Sequence, residues 1–550
     1  NVRRIRRHPG GQVQAQLLQN GIALPAILRD FTPVALRVEV APEQGEETGW
    51  LDPDAPLTLQ LSSAGATLFA GECRLLRQGG DGPAASLVLA PVNSQLRRFR
   101  TREFRSLRRR LLPPPDIAFR HPLSGRNCQL PVLDLSGGGF SVEEEEESSL
   151  LVPGLVLPEV ELRFAAAPLL RCKAQVVYRH AAGTAPGKVR CGLAILDLEP
   201  YQQVRLLALL QQADDRNAYL CAPLDLDELW QFLFSTGFLY PEKYRALQAD
   251  RESFLATYHK LYQQQLDIAR HFVYREGGEI RGHIAMLRLY RSSWMIHHHA
   301  ASHAGSRRAG LAVLAQIGRF VSELHRLRSA RLGYVFCYYR PENRFPSRLF
   351  GGAAKAIDDP AGCAVTPFAY FEPRRGEEGS WELPNHWQLL PAAGEDLLQL
   401  RHLLEAEGAG LVIPAFDLHP GLEADDELAR EYARVGLRRE RRLYSLRCNG
   451  ELRAVLLLHL STAGLNLSSL TSSIQVFVLD RENLPPEVLH GAVGQLRVLF
   501  EEEVPAVLVH PALWAERHRL GHDKLYQLWI LNLQHLDGYF RFCNRFLRNT

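Results

Sequence analysis

Two groups of residues in the first half of the chain have side chains that can recognise an anion or a nucleotide base. Arg105 and Arg109 form an RxxxR pattern, and Asp134, Ser136 and Gly139 follow in the run Asp-Leu-Ser-Gly-Gly-Gly. Guanidinium groups bond bidentately to the O6/N7 edge of guanine and neutralise phosphates. The carboxylate can accept hydrogen bonds from guanine N1–H and N2–H, the hydroxyl can bond a phosphate or base edge, and the glycine lets a ligand approach the backbone.

These residues resemble the signature of a PilZ domain, the bacterial receptor module for cyclic di-GMP, which is RxxxR followed by [DN]xSxxG on a small β-barrel. The resemblance covers residues 96–212, and Cys191–Asp197 with the helix after it is similar to the module's final strand and tail. It implies that cyclic di-GMP is the ligand and that the two arginines, the aspartate, the serine and the glycine bind it.

Alternatives remain open at this site. Arg98 and Arg102 also fit RxxxR, but they lie further from Asp134. We favour Arg105 and Arg109 because they lie closer to the first predicted strand, as the family pattern requires. An arginine-rich linker can also produce RxxxR by chance, and the Asp-Leu-Ser-Gly-Gly-Gly run would then be only a turn.

Residues 1–95 resemble a second, more divergent copy of the same module. An RxxxR pattern at Arg3 and Arg7 precedes Asp30-Phe-Thr-Pro-Val-Ala35, in which threonine replaces the serine and alanine replaces the last glycine. A methyl group at the contact, with positive φ disfavoured, is expected to weaken or abolish binding. The copy is then either a weak site or a structural or dimerising barrel.

A second group of candidate residues lies on a predicted strand and on the helix that follows it. Neighbouring histidines on a strand can supply a general base or metal ligands, since residues two apart share a face. Backbone N–H groups and the positive end of a helix can hold phosphates. The strand contributes His297, His298 and His299, and the helix start contributes Arg307, Arg308, Gly310 and Ala312.

Residues 216–380 resemble the GNAT acyltransferase fold, in which a strand leads into R/QxxGxG/A at a helix start. The resemblance implies that acyl-CoA or acetyl-CoA places its pyrophosphate on Arg307–Ala312. Phe350 stands where many members carry the tyrosine that protonates the departing thiolate, so the three histidines are the candidate catalytic residues. The three histidines can also be explained as polar residues that line a site without taking part in catalysis. We expect no metal site.

The pattern of elements explains where these residues are held. Short β-prone runs fill the first half, whereas long amphipathic helices alternate with strands from Asp225 onward. Gly278-Glu-Ile-Arg-Gly and Gly450-Glu-Leu-Arg-Ala indicate an internal duplication in this second half. The predicted fold class is two small PilZ-like β-barrels followed by two α/β GNAT-like domains. The expected domain ranges are 1–95, 96–215, 216–385 and 386–550.

The second GNAT-like copy lacks the features that suggest chemistry in the first. A constant offset between the copies places Ser469-Leu470-Thr471 opposite the three histidines, and no RxxGxG/A precedes its helix. We therefore expect that residues 386–550 do not bind CoA. Tandem GNAT-like units with one structural half resemble, at the level of fold, acyltransferases that use carrier-bound donors or aminoacyl-tRNA.

Composition excludes several other classes of protein. Hydrophobic residues make up 46% and charged residues 23%, which are ordinary values for globular domains, and charges interrupt every long apolar stretch. We expect no membrane span and, without an apolar leader segment, a cytoplasmic location. The net charge of +3 argues against bulk nucleic-acid binding. The nine cysteines form no CxxC pair, so neither a disulfide framework nor a zinc ribbon is expected.

Together these observations predict a cyclic di-GMP effector in which PilZ domains regulate a GNAT-like N-acyltransferase region. The acyl acceptor is unknown. The alternative is a cyclic di-GMP-responsive adaptor whose GNAT-like halves are inactive and bind a protein partner. Acyl-CoA binding distinguishes the two.

Overall fold

The computed structural model describes the chain in fifteen segments. These are residues 5–6, 13–40, 51–79, 85–93, 103–104, 107–164, 167–181, 186–238, 247–264, 267–302, 308–372, 381–421, 426–467, 470–500 and 504–548. The chain divides into two compact units. Unit 1 comprises residues 1–213 with 327–329, and unit 2 comprises residues 214–326 with 330–550.

Unit 1 begins with a closed β-barrel, called barrel 1. Along its strands buried and exposed side chains alternate, because successive side chains of a strand point to opposite faces. The closed ring runs β3-β2-β5-β6-β7-β4 and returns to β3, which also pairs with β1. The strands are β1 (Ile5–Arg6), β2 (Gln14–Gln19), β3 (Ile22–Thr32), β4 (Ala35–Val40), β5 (Leu57–Ser63), β6 (Ala66–Gly79) and β7 (Ala85–Pro91).

A second closed barrel, barrel 2, follows and repeats this topology. Its ring runs β9-β8-β11-β12-β13-β10, which is the order of barrel 1 strand for strand. The elements are β8 (Asp116–Arg120), β9 (Asn127–Ser136), β10 (Gly139–Glu145), β11 (Val156–Phe164), β12 (Ala167–Ala181), β13 (Lys188–Asp197) and helix α1 (Pro200–Asp214). The two barrels therefore share one fold although their sequences have diverged.

The run of glutamates from Glu143 to Glu147 begins within β10, and its members are exposed or partly exposed except for one. Glu144 is buried, and its carboxylate accepts hydrogen bonds from Ser149 Oγ at 2.8 Å and from the amides of Leu150 and Leu151 at 3.0 and 3.3 Å. Alternation along β10 turns this one member of the run inward, where the backbone amides compensate its charge.

The first repeat of unit 2 is an α/β arrangement in which four antiparallel strands, β14 to β17, are followed by a parallel crossover to β18. Its elements are β14 (Ala218–Leu220), α2 (Leu226–Ser235), α3 (Arg251–His259), β15 (Ala269–Glu276), β16 (Glu279–Arg288), β17 (Ser293–Ala301), α4 (Ala309–Leu324), β18 (Tyr334–Tyr339), α5 (Arg344–Pro346), α6 (Gly352–Ile357) and β19 (Cys363–Phe371).

The second repeat has the same order of strands. Its elements are β20 (Trp387–Pro391), α7 (Gly394–Ala406), α8 (Val412–Ala415), α9 (Asp426–Arg434), β21 (Arg439–Cys448), β22 (Glu451–Ser461), β23 (Ser473–Val478), α10 (Pro486–Arg497), β24 (Ala506–His510), α11 (Ala512–Arg517), β25 (Lys524–Asn532) and α12 (Leu536–Arg548). The duplication predicted from the two Gly-Glu hairpins, β15–β16 and β21–β22, thus extends over the whole unit.

The two repeats exchange their last strands. The strands of unit 2 form one 12-stranded sheet in the order β14-β15-β16-β17-β18-β25-β19-β24-β23-β22-β21-β20. The last strand of the second repeat, β25, pairs with β18 of the first repeat, and the last strand of the first repeat, β19, pairs with β24 of the second. One hydrophobic core spans both repeats, as in the stacking of Tyr290 on Phe416 with 4.6 Å between ring centroids.

The predicted architecture, two small β-barrels followed by two α/β repeats, is confirmed. The strand exchange means that the repeats share a sheet as well as a core. The four predicted domain ranges remain a prediction. Among the described helices, none combines the length and the apolarity that a membrane crossing needs.

Candidate functional sites

The arginine segment before barrel 2 lies against the barrel. The backbone N–H of Arg109 donates to Leu135 O, and the N–H of Leu135 donates to Arg109 O, both at 2.8 Å. This two-bond bridge holds the segment beside the end of β9, where the Asp-Leu-Ser run begins. Arg105, the other predicted arginine, lies outside the described residues.

Asp134 lies between two arginines that the sequence analysis did not select. Arg108 Nη1 donates to one carboxylate oxygen at 3.0 Å, and Arg190 Nη2 donates to the other. Arg190 is also bonded to Ser141 Oγ, through Nε at 3.2 Å and Nη2 at 3.0 Å. Arg190 comes from β13, far from Asp134 in sequence, so only strand pairing could have indicated it.

Ser136 and Gly139 shape the tight turn between β9 and β10. Ser136 is buried, and its hydroxyl donates to Gly139 O at 3.1 Å. A Cβ added to Gly139 would lie 2.3 Å from Leu193 O, a distance that real Cβ atoms do not reach. The structure therefore gives this glycine a packing reason, the close approach of β13, which acts without any ligand.

The equivalent turn of barrel 1 has a different partner for its aspartate. Thr32 and Ala35 are paired across the turn as Ser136 and Gly139 are, and Thr32 Oγ1 accepts from Ala35 N at 3.0 Å. Ala35 begins an ordinary strand, so its methyl group is not strained by a positive φ. Instead, Arg37 on the neighbouring strand pairs with the buried Asp30 at 2.6 Å.

The first repeat of unit 2 has a gap between its two parallel strands. β17 and β18 pair only over Ser293–Met295 and Tyr334–Phe336, and then they diverge. A cavity of about 400 Å³ lies beside the diverging ends, with His297, Tyr338 and Phe350 among its lining residues. The corresponding strands of the second repeat, β23 and β24, stay paired over Ser473–Phe477 and Ala506–His510.

The three predicted histidines have different surroundings. His298 adopts a φ of 53° within a bulge of β17, and its Nε2 lies 3.4 Å from the donating N–H of Leu467. A ring nitrogen of His299 bonds to Gly310 O at 3.0 Å. His297 is buried at the cavity, and neither of its ring nitrogens has a hydrogen-bond partner within the described residues.

Burial controls the charge of these rings. Desolvation, together with the smaller effect of the neighbouring His283, lowers the pKa of His297 to about 3. Burial also lowers the pKa of His298 and of His299. The three imidazoles are therefore neutral near pH 7, and His297 has its ring nitrogens directed to no other group of the described chain. Of the three, His297 has the surroundings that suit contact with a bound molecule.

Two tyrosines and a phenylalanine are among the aromatic residues that line the cavity. Phe350 packs on Trp529, with 4.8 Å between ring centroids. Burial raises the pKa of Tyr339 to about 12, so its phenol keeps its proton near pH 7. Tyr338 accepts a hydrogen bond from Gln475 Nε2 at 2.9 Å. The sequence analysis missed Tyr338 and Tyr339, although the strand that carries them follows the candidate helix directly.

The helix predicted to receive the pyrophosphate begins at Ala309. Its N-cap residue, Arg308, makes no side-chain cap, and Arg308 O accepts from the amide of Ala312 at 2.8 Å. A Cβ on Gly310 would lie 3.1 Å from the Cβ of Ala301, so glycine gives close packing of the helix on β17. Arg307 lies outside the described residues.

The second repeat aligns differently from the constant offset used in the sequence analysis. His297 lies opposite Ala285, and in the second repeat Gln475 lies opposite Leu457, the residue equivalent to Ala285. Gln475, rather than Ser469, is therefore the counterpart of His297, because the second repeat has a longer β22–β23 connection. Ser469 lies outside the described residues. Helix α10 carries Glu487 in its first turn, a charge that opposes phosphate binding.

This longer connection of the second repeat contributes to the cavity of the first. Asn466, Leu467 and Leu470 line the cavity together with the residues of β17 and β18. The N–H of Leu467 bonds to His298, and Gln475 bonds to Tyr338. The first repeat therefore does not build its cavity alone.

No protein-family model matches the chain, and no curated protein matches it either. Several solved structures are similar to parts of the chain. The structure of YcgR in complex with c-di-GMP from Escherichia coli has 17% identity and a TM-score of 0.18, and it covers 37% of this chain and 84% of its own.

Two further structures are similar to a larger share of the chain. A GCN5-related N-acetyltransferase from Sphaerobacter thermophilus has 11% identity and a TM-score of 0.30, covering 58% of this chain and 96% of its own. A tandem GNAT protein from the clavulanic acid biosynthesis pathway has 15% identity and a TM-score of 0.29, covering 57% and 98%. At these scores the likenesses assign no ligand and no activity to this chain.

Proposed function

We propose that this protein is a cyclic di-GMP effector, with the nucleotide bound on barrel 2 and a GNAT-like acyltransferase region as the regulated part. One observation carries the nucleotide site. The carboxylate of Asp134 lies beside Arg108, Arg190 and the segment of Arg109 on one side of the barrel. The guanidinium groups can neutralise the phosphates of a guanine dinucleotide, and the carboxylate can accept hydrogen bonds from the N–H groups of its bases.

Isothermal titration calorimetry of the full chain with cyclic di-GMP tests this site. We expect Arg109→Ala and Asp134→Ala to weaken binding by about five- to 150-fold each, the effect of losing a bidentate guanine contact of about 1–3 kcal/mol. Asp116→Ala is the matched control, since Asp116 is an acidic residue of the same barrel that bonds to Gln129. Undiminished binding in both site variants would contradict the assignment.

We further propose that the first repeat of unit 2 binds acyl-CoA between β17 and β18. The divergence of these strands and the cavity beside them support the proposal, since the second repeat keeps its strands paired and carries no equivalent histidine. When bound, CoA supplies the activated acyl group. Of the chain's own side chains, His297 and Tyr339 line this cavity, and both ring nitrogens of His297 lack a partner within the described residues, so these two are the candidates for exchanging a proton with the substrates.

The alternative function is a cyclic di-GMP-responsive adaptor with inactive GNAT-like repeats. Phe350 in place of an acid favours it, because the side chain packs on Trp529 and donates no proton. Thermal unfolding with and without acetyl-CoA separates the alternatives, because a bound ligand stabilises the folded state. Stabilisation supports the acyltransferase, and its absence supports the adaptor. Mass spectrometry of co-purified molecules would identify either ligand.

A further inference from the structure

We propose that Arg190 and Tyr178, which lie outside the RxxxR and DxSxxG signature, complete the nucleotide site of barrel 2. Arg190 would bind a phosphate oxygen, and the aromatic stack of Tyr178 would hold a guanine base. This inference rests on the proposed cyclic di-GMP binding.

Strand pairing places four residues in one row across the outer face of barrel 2. Asp134 pairs with Ser141, Ser141 pairs with Gly192, and Gly192 pairs with Tyr178. Directly paired residues of neighbouring strands have their side chains on the same face of a sheet. Arg190 lies two positions before Gly192 on β13, so it shares this face.

Gly192 makes room for the Tyr178 ring. A Cβ on Gly192 would lie 2.0 Å from Tyr178 Cε1, so any other residue would displace the ring. The ring stacks on His180 with centroids 5.0 Å apart and an interplanar angle of 18°. Its hydroxyl lies 3.5 Å from Arg108 Nη1, which places a planar stack next to the arginine and aspartate cluster. A purine base can extend such a stack.

Arg190 is oriented before any ligand binds. Its Nε and Nη2 groups bond to Ser141 and Asp134, while 38% of its side chain stays exposed. Within the described residues no hydrogen bond engages Nη1, so this group can meet a phosphate oxygen without breaking the existing bonds. A guanidinium held in a fixed geometry loses less entropy on binding than a mobile one.

Barrel 1 provides an internal comparison, because its equivalent row lacks each of these features. Arg37 stands at the position of Ser141 and pairs with the aspartate of its own barrel. Ser86 is the counterpart of Arg190, because Ser86 pairs with Glu39 in barrel 1 and Arg190 pairs with Glu143 in barrel 2. By the same pairing Val88 and Arg77 replace Gly192 and Tyr178. Barrel 1 therefore has the turn of the signature without the surrounding groups.

Calorimetry of the full chain with cyclic di-GMP tests the proposal through Arg190→Ala and Tyr178→Ala. We expect each to weaken binding by about five- to 150-fold, the loss of one charged contact or one base stack of about 1–3 kcal/mol. Tyr178→Phe keeps the ring and should stay within about three-fold of wild type. Lys188→Ala is the control, since Lys188 lies on the same strand and its ion pairs within the described residues are with Glu143 and Glu145.

Each outcome has a defined meaning. Affinities of Arg190→Ala and Tyr178→Ala equal to that of Lys188→Ala, with binding by the wild type intact, would overturn this proposal and leave the proposed function standing. No binding by the wild type would instead overturn the proposed function. If Arg190→Ala fails to fold because Asp134 loses a partner, Arg190→Lys keeps the charge without the planar fork and should still lose at least about five-fold.

Discussion

Individual side chains distinguish two barrels of the same fold. In barrel 2 the aspartate of the turn is paired with Arg108 and Arg190, which come from outside the β9–β10 hairpin. In barrel 1 the aspartate is paired with Arg37 of its own hairpin. In barrel 1 the arginine lies in the same hairpin as the carboxylate and neutralises it there. In barrel 2 the two arginines come from other segments, and their N–H groups that do not bond to Asp134 lie near the same surface of the barrel.

Gly139 offers a test of packing at the scale of one atom. We expect Gly139→Ala to lower the free energy of unfolding of unit 1 by about 1–3 kcal/mol, because the added methyl would meet Leu193 O and force β13 away. Gly138→Ala is the matched control, since a Cβ there would contact no atom within 4 Å. Urea unfolding measures both, and equal stability of the two variants would contradict this reason for the glycine.

Ala35 provides a second test at this scale. The sequence predicts that, if barrel 1 retains a vestigial site, Ala35→Gly strengthens nucleotide binding there by restoring the approach of a ligand to the backbone. The structure leads us to expect no gain from this change alone, because Arg37 still pairs with Asp30. Calorimetry of the full chain with the proposed barrel 2 site weakened by Asp134→Ala measures the effect. Binding restored by Ala35→Gly would show that the methyl group was the obstacle.

At the scale of elements, the strands β17 and β18 and the helix α4 form the candidate acyl-donor site. The strands separate after three paired positions, and α4 starts where the gap opens, with Gly310 packed on Ala301. His299 joins the strand to this helix through Gly310 O. In the second repeat the strands remain paired, so the same order of elements gives no gap.

Gly310→Asp tests the role of the helix start. We expect it to abolish the thermal stabilisation of the full chain by acetyl-CoA, since the carboxylate adds bulk and negative charge where phosphates must approach. Gly310→Ala is the neutral control and should keep most of the stabilisation, although its methyl would lie 3.1 Å from Ala301 Cβ. Equal loss in both variants would indicate a packing defect and would contradict the phosphate role.

At the scale of the whole molecule, the exchanged strands make the two repeats of unit 2 depend on each other. β25 pairs with β18 over Tyr334–Tyr339 and with β19 over Cys363–Tyr370. We expect residues 214–550 to fold as a fragment. Residues 214–385 alone should not fold, because without β25 the edges of β18 and β19 would be unpaired and half of a shared core would be exposed. Circular dichroism and thermal unfolding test both fragments. A cooperative unfolding transition for residues 214–385 would contradict this dependence.

Buried histidines make the stability of unit 2 sensitive to acid. Burial lowers the pKa of His271, His297 and His459 to about 3, and that of His283 and His510 to about 4. Below about pH 6.5 these histidines bind protons in the unfolded chain but stay neutral in the folded chain. The free energy of unfolding therefore falls as the pH decreases from about 6.5 towards 4. Each such histidine contributes up to about 1.4 kcal/mol per pH unit over this window.

Urea unfolding at several pH values between 7.5 and 4.5 measures this effect. His459→Gln keeps a polar group near Tyr290, whose hydroxyl lies 2.6 Å from His459 Nε2, and it removes the titrating ring. We expect this variant to lose less stability with acid than the wild type does. His386→Gln is the control at an exposed position and should keep the wild-type dependence on pH. A steeper acid dependence in His459→Gln would refute the assignment.

The sequence by itself determined the order of the barrels and the α/β repeats and the turn that carries the proposed nucleotide site. Alternating apolar positions and Gly-rich turns are local signals, and they indicated the barrels, the α/β half and the Asp134–Gly139 turn. The partners of Asp134 could not be predicted from the sequence, because Arg190 is brought next to it by the pairing of β9 with β10 and of β10 with β13. The strand exchange and the Gln475 counterpart of His297 were also decided by tertiary structure. Register and strand order depend on contacts between distant segments, which a local pattern does not encode.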